Sequence, residues 1–172
     1  LNTLKVDSIA LGFVAGFTGE AIEKGVSAQG IKTDFVFLDN GFSRINVKMK
    51  SSKETEINGQ GPQINEDDIQ KLFTKLDNLK SGDTLVLAGS IPNTLPSDMY
   101  EKILKHLSNK GINFVVDATK DLLVNVLKYK PFLIKPNNHE LAEIFNVELK
   151  SNNDIVTYAK KLQDMGARNV LI

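Results

Sequence analysis

One short segment concentrates groups able to handle a charged ligand: Lys135-Pro136-Asn137-Asn138-His139-Glu140. Lys135 offers a compact ammonium suited to phosphate oxygens. Asn137 and Glu140 offer oxygen donors of the kind Mg²⁺ prefers, an ion that often keeps several waters. Pro136 lacks an N–H and biases Lys135 toward extended backbone, so the segment reads as a strand exit. The same spacing has a purely structural reading. Asn137 followed three residues later by Glu140 is a capping box, in which each side chain satisfies the other's backbone N–H at a helix start. Both readings stand on spacing alone. Two further positions share this character. Ser90 comes two residues after the apolar run Thr84–Ala88, and Asp117 directly follows Phe114–Val116. Taken singly, an Asp in such a place can simply cap a helix, and a Lys can snorkel. Together, three strand ends deliver a hydroxyl, a carboxylate and a Lys/Asn/Glu set. In open parallel sheets ligands bind just beyond the carboxyl ends of the strands. His106 falls on a helix surface, and His139 has no zinc spacing around it.

The elements that must position these groups fall into two kinds. From Asp34 to Asn58 the pattern is β: a Phe/Val-rich stretch to Leu38, the turn residues Asp39-Asn40-Gly41, and strict alternation from Arg44 to Lys50. Ile45, Val47 and Met49 share one face; Arg44, Asn46, Lys48 and Lys50 share the other. With Thr55–Asn58 this predicts a small antiparallel sheet with one polar face. From Gln63 onward strands and amphipathic helices alternate. Ile69, Leu72, Phe73, Leu76 and Leu79 make one helical stripe, capped by Asn65. Tyr100, Ile103, Leu104 and Leu107 make another, with Ser97 as the expected cap and Gly111 past its end. Thr84–Ala88, Phe114–Val116, Phe132–Ile134 and Val170–Ile172 read as strands. Thr84–Ala88, wholly apolar after its first residue, is expected to be buried on both faces. Ile9–Leu11 reads as one more strand, followed by a glycine turn at residues 16–19 and a helix. Such alternation implies a parallel sheet covered by helices. The expected organisation is an α/β core at 1–32 and 59–172, with the small sheet of 33–58 as a lid.

Composition excludes several classes. The 172 residues carry 21 Lys+Arg against 21 Asp+Glu, so the net charge is zero and offers no attraction to nucleic acid or an acidic membrane. No apolar run reaches membrane-span length, and no basic-then-apolar segment opens these residues. Cys is absent, which excludes disulfides, thiolate metal sites and Cys nucleophiles. A cytoplasmic protein is expected. No G-x-G-x-x-G with a following acidic ribose partner occurs, and no G-x-x-x-x-G-K-[ST], which disfavours dinucleotide oxidoreductases and P-loop NTPases. The start at Leu1 and the apolar run Asn169–Ile172 read as a chain recorded in part.

The chain resembles the ribokinase-like sugar kinases of the phosphofructokinase-B type. The resemblance rests on Ala10-Leu11-Gly12-Phe13 with Gly16 and Gly19, Ser43-Arg44-Ile45-Asn46-Val47-Lys48, Glu54-Thr55-Glu56-Ile57-Asn58, Gly61-Pro62, Ala88-Gly89-Ser90-Ile91-Pro92, Val115-Val116-Asp117-Ala118 and Ile134-Lys135-Pro136-Asn137-Asn138-His139-Glu140-Leu141, in family order. Arg-Ile-Asn-Val-Lys and Thr-Glu-Ile-Asn point to the branch acting on fructose 1-phosphate. The resemblance implies a three-layer αβα sandwich with a mainly parallel sheet and an antiparallel β lid. It implies transfer from ATP with Mg²⁺ to fructose 1-phosphate, giving fructose 1,6-bisphosphate. Arg44 would contact the sugar phosphate from the lid, with Asn46 assisting, and Ser90 would sit beside the substrate. Lys135 and Asn137 would reach the ATP phosphates, Glu140 would hold Mg²⁺, and Asp117 would lie on the cleft floor. The lid of similar kinases also serves as a dimer contact, so a homodimer is a possible assembly.

Departures from the family pattern are equally specific. The upstream Gly-Gly-Lys-Gly segment that grips the sugar and the downstream Gly-x-Gly-Asp segment that supplies the base both fall outside residues 1–172. Phosphoryl transfer needs a group to orient or accept the hydroxyl proton, so these residues alone are expected to be inactive. The alternatives are a tagatose-6-phosphate kinase and a non-catalytic phosphosugar-binding domain.

Overall fold

The computed structural model describes residues 1–50, 54–89, 91–118 and 120–172. They form two units, Leu1–Asp77 and Asn78–Ile172. The first is built around a short parallel ladder. Strand β1 (Ile9–Ala10) and strand β2 (Phe13–Ala15) are followed by helix α1 (Gly16–Ala28), then β3 (Lys32–Thr33) and β4 (Val36–Leu38). β1 pairs with β3, and β2 with β4, both in parallel. The helix starts directly at Gly16, where a glycine turn was expected. Val14, Ala15, Val36 and Leu38 are buried in this ladder.

The pairing of β4 corrects the sequence reading. Val36–Leu38 was expected in the antiparallel sheet; it instead runs parallel to β2, with Val14 opposite Phe37. Alternating apolar residues identify a strand but not its partner. The crossover through α1 returns the chain beside β2, where buried Val36 and Leu38 meet Val14 and Ala15.

The antiparallel element is a hairpin of β5 (Asn46–Lys50) and β6 (Glu54–Asn58), with Val47 opposite Ile57 and Lys48 opposite Glu56. Directly opposed residues share a face, so the polar and apolar faces fall as the alternation predicts. Serine anchors its root. Ser43 is buried; its N–H donates to the Ala15 carbonyl and its Oγ accepts from the Ala15 N–H, both at 3.0 Å. The Thr18 hydroxyl donates to the Ser43 carbonyl at 2.9 Å. Helix α2 (Glu66–Leu76) closes this unit. Its capping box pairs Asn65 with Asp68, and its stripe buries Leu72 and Leu76. Leu79, expected in that stripe, lies past the helix end.

The second unit carries a parallel sheet in the order β7 (Thr84–Ala88), β8 (Asn113–Asp117) and β9 (Leu133–Ile134). Between them come α3 (Met99–Leu107) and α4 (Lys120–Val126); α5 (Asn138–Phe145) and α6 (Asn152–Asp164) follow. Val170 bridges Ile134 in parallel, extending the sheet at the place where a final strand was expected. Two details differ from expectation. β7 has one buried face, not two: Leu85 and Leu87 are buried, while Val86 is 51% exposed. An apolar run alone does not distinguish these cases. Helix α3 starts after Asp98, not Ser97, and no side chain caps it. The core draws on Ile103, Leu104 and Leu107 from α3, Val116 from β8, Ile134 from β9, Leu141 from α5 and Leu162 from α6.

Candidate functional site

The carboxyl ends of β7, β8 and β9 form one edge of the parallel sheet in the second unit. Hydrogen bonds carry the ladder to that edge. The Gly89 N–H donates to the Asp117 carbonyl at 3.3 Å, and the Lys135 N–H to the Val116 carbonyl at 3.2 Å. Asp117 and Lys135 therefore emerge side by side. Their side chains form an ion pair, Lys135 Nζ to Asp117 Oδ2, at 3.2 Å. Both remain about half exposed, open to a ligand arriving from solvent.

Pro136 is fully buried and turns the chain from β9 into α5. There the capping box forms as its spacing allowed. The Glu140 N–H donates to Asn137 Oδ1 at 3.0 Å, and the Asn137 N–H donates to Glu140 Oε2 at 2.8 Å. Asn137 Nδ2 and Glu140 Oε1 take no part in the box. The capping reading and the ligand reading are thus compatible, because each side chain keeps one polar atom outside the cap. The positive end of the α5 dipole adds to the attraction for an anion at this spot.

These groups suit a phosphate-borne Mg²⁺ better than a caged one. Among the described residues no three of His, Cys, Asp and Glu cluster as a metal site. One carboxylate and a carboxamide fit an ion that keeps waters and takes most of its ligands from phosphates. The Glu140 carboxylate is the residue that would hold it.

Tyr100 belongs to the same edge, and the sequence reading assigned it only to the α3 stripe. The ring is buried, and its hydroxyl lies 2.9 Å from the Ala88 carbonyl and 3.1 Å from the Gly89 carbonyl. Burial, and next the negative charge of Asp117, push its ionisation above the ordinary tyrosine value of 10.0. The signal was present: a tyrosine at a buried helix position needs a partner for its hydroxyl.

The residues expected to meet the sugar from the lid lie in the first unit. Arg44 and Asn46 are exposed, Arg44 next to the anchored Ser43 and Asn46 opposite Asn58 at the start of the hairpin. Lys48 and Glu56 close the polar face with a cross-strand ion pair of 2.6 Å. The hydrogen bond from Lys48, and next its charge, hold the Glu56 carboxyl below its ordinary value. Ser90 lies outside the described residues. The structure thus brings Asp117 to Lys135 and Asn137 to Glu140, and places Arg44 and Asn46 in the other unit.

Comparison with known proteins supplies the context. Residues 1–172 match the pfkB family of carbohydrate kinases throughout. A 1-phosphofructokinase of Bacillus subtilis (strain 168) is 44% identical over 167 residues, covering 97% of this chain and 55% of that protein. A D-tagatose-1-phosphate kinase of Bacillus licheniformis is 38% identical over 173 residues, covering 100% of this chain and 57% of its own. A crystal structure from Staphylococcus aureus, of a protein provisionally named a phosphofructokinase, superposes with a TM-score of 0.86. It is 41% identical and covers 98% of this chain and 55% of its own. The chain spans about half the length of the curated relatives it matches. It belongs to the pfkB carbohydrate kinase family, and its α/β architecture is the ribokinase-like one.

Proposed function

We propose that the protein phosphorylates fructose 1-phosphate at its free primary hydroxyl, using MgATP and yielding fructose 1,6-bisphosphate. The observation that carries this reading is the family match across all 172 residues, joined to 44% identity with a 1-phosphofructokinase. The site chemistry supports it. Arg44, exposed beside a buried anchor, would pair with the phosphate already on the sugar, and Asn46 would hydrogen-bond it. Ser90, next along from Gly89, would meet the sugar at the sheet edge. Lys135 would neutralise ATP phosphate oxygens, with Asp117 setting where its ammonium sits. Asn137 would donate through Nδ2, and Glu140 would hold Mg²⁺. When bound, that ion neutralises charge on the transferring phosphate. Transfer of this kind depends on positioning and charge neutralisation, which these residues address. The group that receives the hydroxyl proton is not assigned within residues 1–172.

Hairpin β5–β6 would cover the bound sugar and exclude water, limiting wasteful ATP hydrolysis. Its apolar side leaves Val47, Met49 and Ile57 about half exposed, with Ile45 at 60%. A second copy of the protein would cover that surface, giving a homodimer. Sedimentation of the unsubstituted protein and of V47K tests this: the variant is expected to shift toward monomer.

Among the described residues no helix is long and apolar enough to cross a membrane. A cytoplasmic location, where ATP and sugar phosphates are both available, fits the proposed reaction.

A second reading is D-tagatose 1-phosphate, named for the Bacillus licheniformis relative. It differs from fructose 1-phosphate in configuration at C4. ADP release by the product of the whole reading frame decides, measured with MgATP and each of fructose 1-phosphate, tagatose 1-phosphate, tagatose 6-phosphate and fructose 6-phosphate. Preference for fructose 1-phosphate supports the first reading; preference for tagatose 1-phosphate supports the second. Absence of turnover with any of them overturns both.

A further inference from the structure

We infer that Tyr100 is a positioning residue that sets the sugar end of the site by pinning the carbonyls where β7 ends. The inference rests on the kinase reading above. Its basis is the geometry at Ala88 and Gly89. Tyr100 is buried and its hydroxyl needs a partner; Ala88 and Gly89, exposed where β7 ends, offer their carbonyls. Tyr100 reaches them from α3, its hydroxyl 2.9 Å from the Ala88 oxygen and 3.1 Å from the Gly89 oxygen. One hydroxyl hydrogen is thereby shared between two successive peptides.

Gly89 makes the contact consequential. Its φ is +87°, in the region glycine adopts readily and other residues rarely do. A Cβ there would meet nothing within 4 Å, so the conformation, not space, calls for glycine. Among the described residues two bonds hold this turn: its N–H to the Asp117 carbonyl at 3.3 Å, and its carbonyl to Tyr100. The first ties Gly89 to the neighbouring strand and the second ties it to α3. Removing the hydroxyl removes the tie to α3 directly before position 90. The Asp117 carboxylate and burial both disfavour ionised Tyr100, so the hydroxyl keeps its proton and remains a donor at neutral pH.

The test is steady-state kinetics of Tyr100→Phe in the whole-frame protein, with thermal unfolding recorded on the same sample. The expected result is a rise in KM for the sugar phosphate of about five- to tenfold, the worth of roughly one net hydrogen bond. KM for ATP and kcat are expected to stay within about twofold, within the measured spread of single-contact effects. A purely structural role lowers the unfolding temperature and leaves the KM for sugar phosphate unchanged; that outcome overturns the inference. Should Tyr100→Phe not fold, difluorotyrosine at position 100 keeps the shape but ionises at lower pH. Its KM for sugar phosphate is then expected to climb as the phenol loses its proton, and a flat profile overturns the inference. Lack of turnover in the unsubstituted protein overturns the kinase reading itself. Turnover with unchanged KM in the variants overturns only the role of Tyr100.

Discussion

The ammonium of Lys135 and the carboxylate of Asp117 stand 3.2 Å apart, side by side at the ends of adjacent strands. At about half exposure such a pair adds no more than about 1 kcal/mol to folding. Its larger effect is to fix where the cation waits. Asp117→Ala is therefore expected to leave the unfolding temperature nearly unchanged and to raise KM for ATP several-fold. In a double-mutant cycle with Lys135→Ala, the two losses in kcat/KM should sum to more than the double variant shows, because one residue acts through the other.

The observed cap of Glu140 and its proposed role toward Mg²⁺ need different properties of the side chain. The cap needs an oxygen acceptor, which Gln retains; Mg²⁺ needs a carboxylate. Glu140→Gln should cost only a few tenths of a kcal/mol of stability, roughly the loss of one charge at a helix start. The Mg²⁺ concentration for half-maximal activity should rise by about tenfold or more, as expected when an ion loses a carboxylate ligand. Equal Mg²⁺ dependence in the two proteins would leave Glu140 with the cap alone.

Tyr100 gives the fold an alkaline limit. Its ionisation lies above 10.0 in the folded protein and near that value when unfolded. Above 10.0 the unfolded chain releases this proton first, so the stability Tyr100 contributes is complete below 10.0 and is lost as pH rises through the folded value. Tyr100→Phe should flatten that part of the curve. Urea unfolding between pH 9 and 11, a range bracketing the ordinary tyrosine value, measures it.

Glu56 sets the opposite limit for the hairpin. Lys48 holds its carboxyl below the ordinary 4.5. The pair's contribution is present above 4.5 and is lost as pH falls through the lowered value. Carbon-detected NMR of the carboxyl should place its midpoint below 4.5, and Lys48→Met should move it upward.

Two glycines predict opposite signs. Gly25 lies within α1, and a Cβ there meets nothing within 4 Å. Gly25→Ala should stabilise by about 0.5–1 kcal/mol through helix propensity. At Gly166 φ is +133° and a Cβ would come within 2.2 Å of the Leu127 carbonyl oxygen. Gly166→Ala should destabilise by more than about 1 kcal/mol. Chemical denaturation of both variants checks the pair.

Local chemistry was the most legible part of the sequence. The Asn137–Glu140 capping box and the Asn65 cap formed where the sequence placed them, because caps depend on residues two or three apart; the return bond between the Asp68 carboxylate and the Asn65 N–H was added by the structure. The strand ends carrying Asp117 and Lys135 were legible for a similar reason: each follows a short apolar run bounded by polar residues. Partnering was less so. Val36–Leu38 looked like a neighbour of the hairpin and paired instead with β2, since alternation leaves the partner open. Tyr100 was hidden by its ring, which fits an apolar stripe as well as leucine does. Only the packed structure shows its hydroxyl meeting the end of β7.

The anchored serine at the hairpin root governs how any swing of that hairpin is distributed. Ser43 is fastened to Ala15 through two hydrogen bonds and to Thr18 through a third. A rigid rotation about this point has its shortest lever at Arg44. At roughly 3.4 Å per residue, Lys50 lies on the order of 20 Å out. A tilt that carries Lys50 and Glu54 through several ångströms therefore displaces the Arg44 backbone by a small fraction of that distance. A tilt of the hairpin would be felt at its far end and scarcely at its guanidinium-bearing residue.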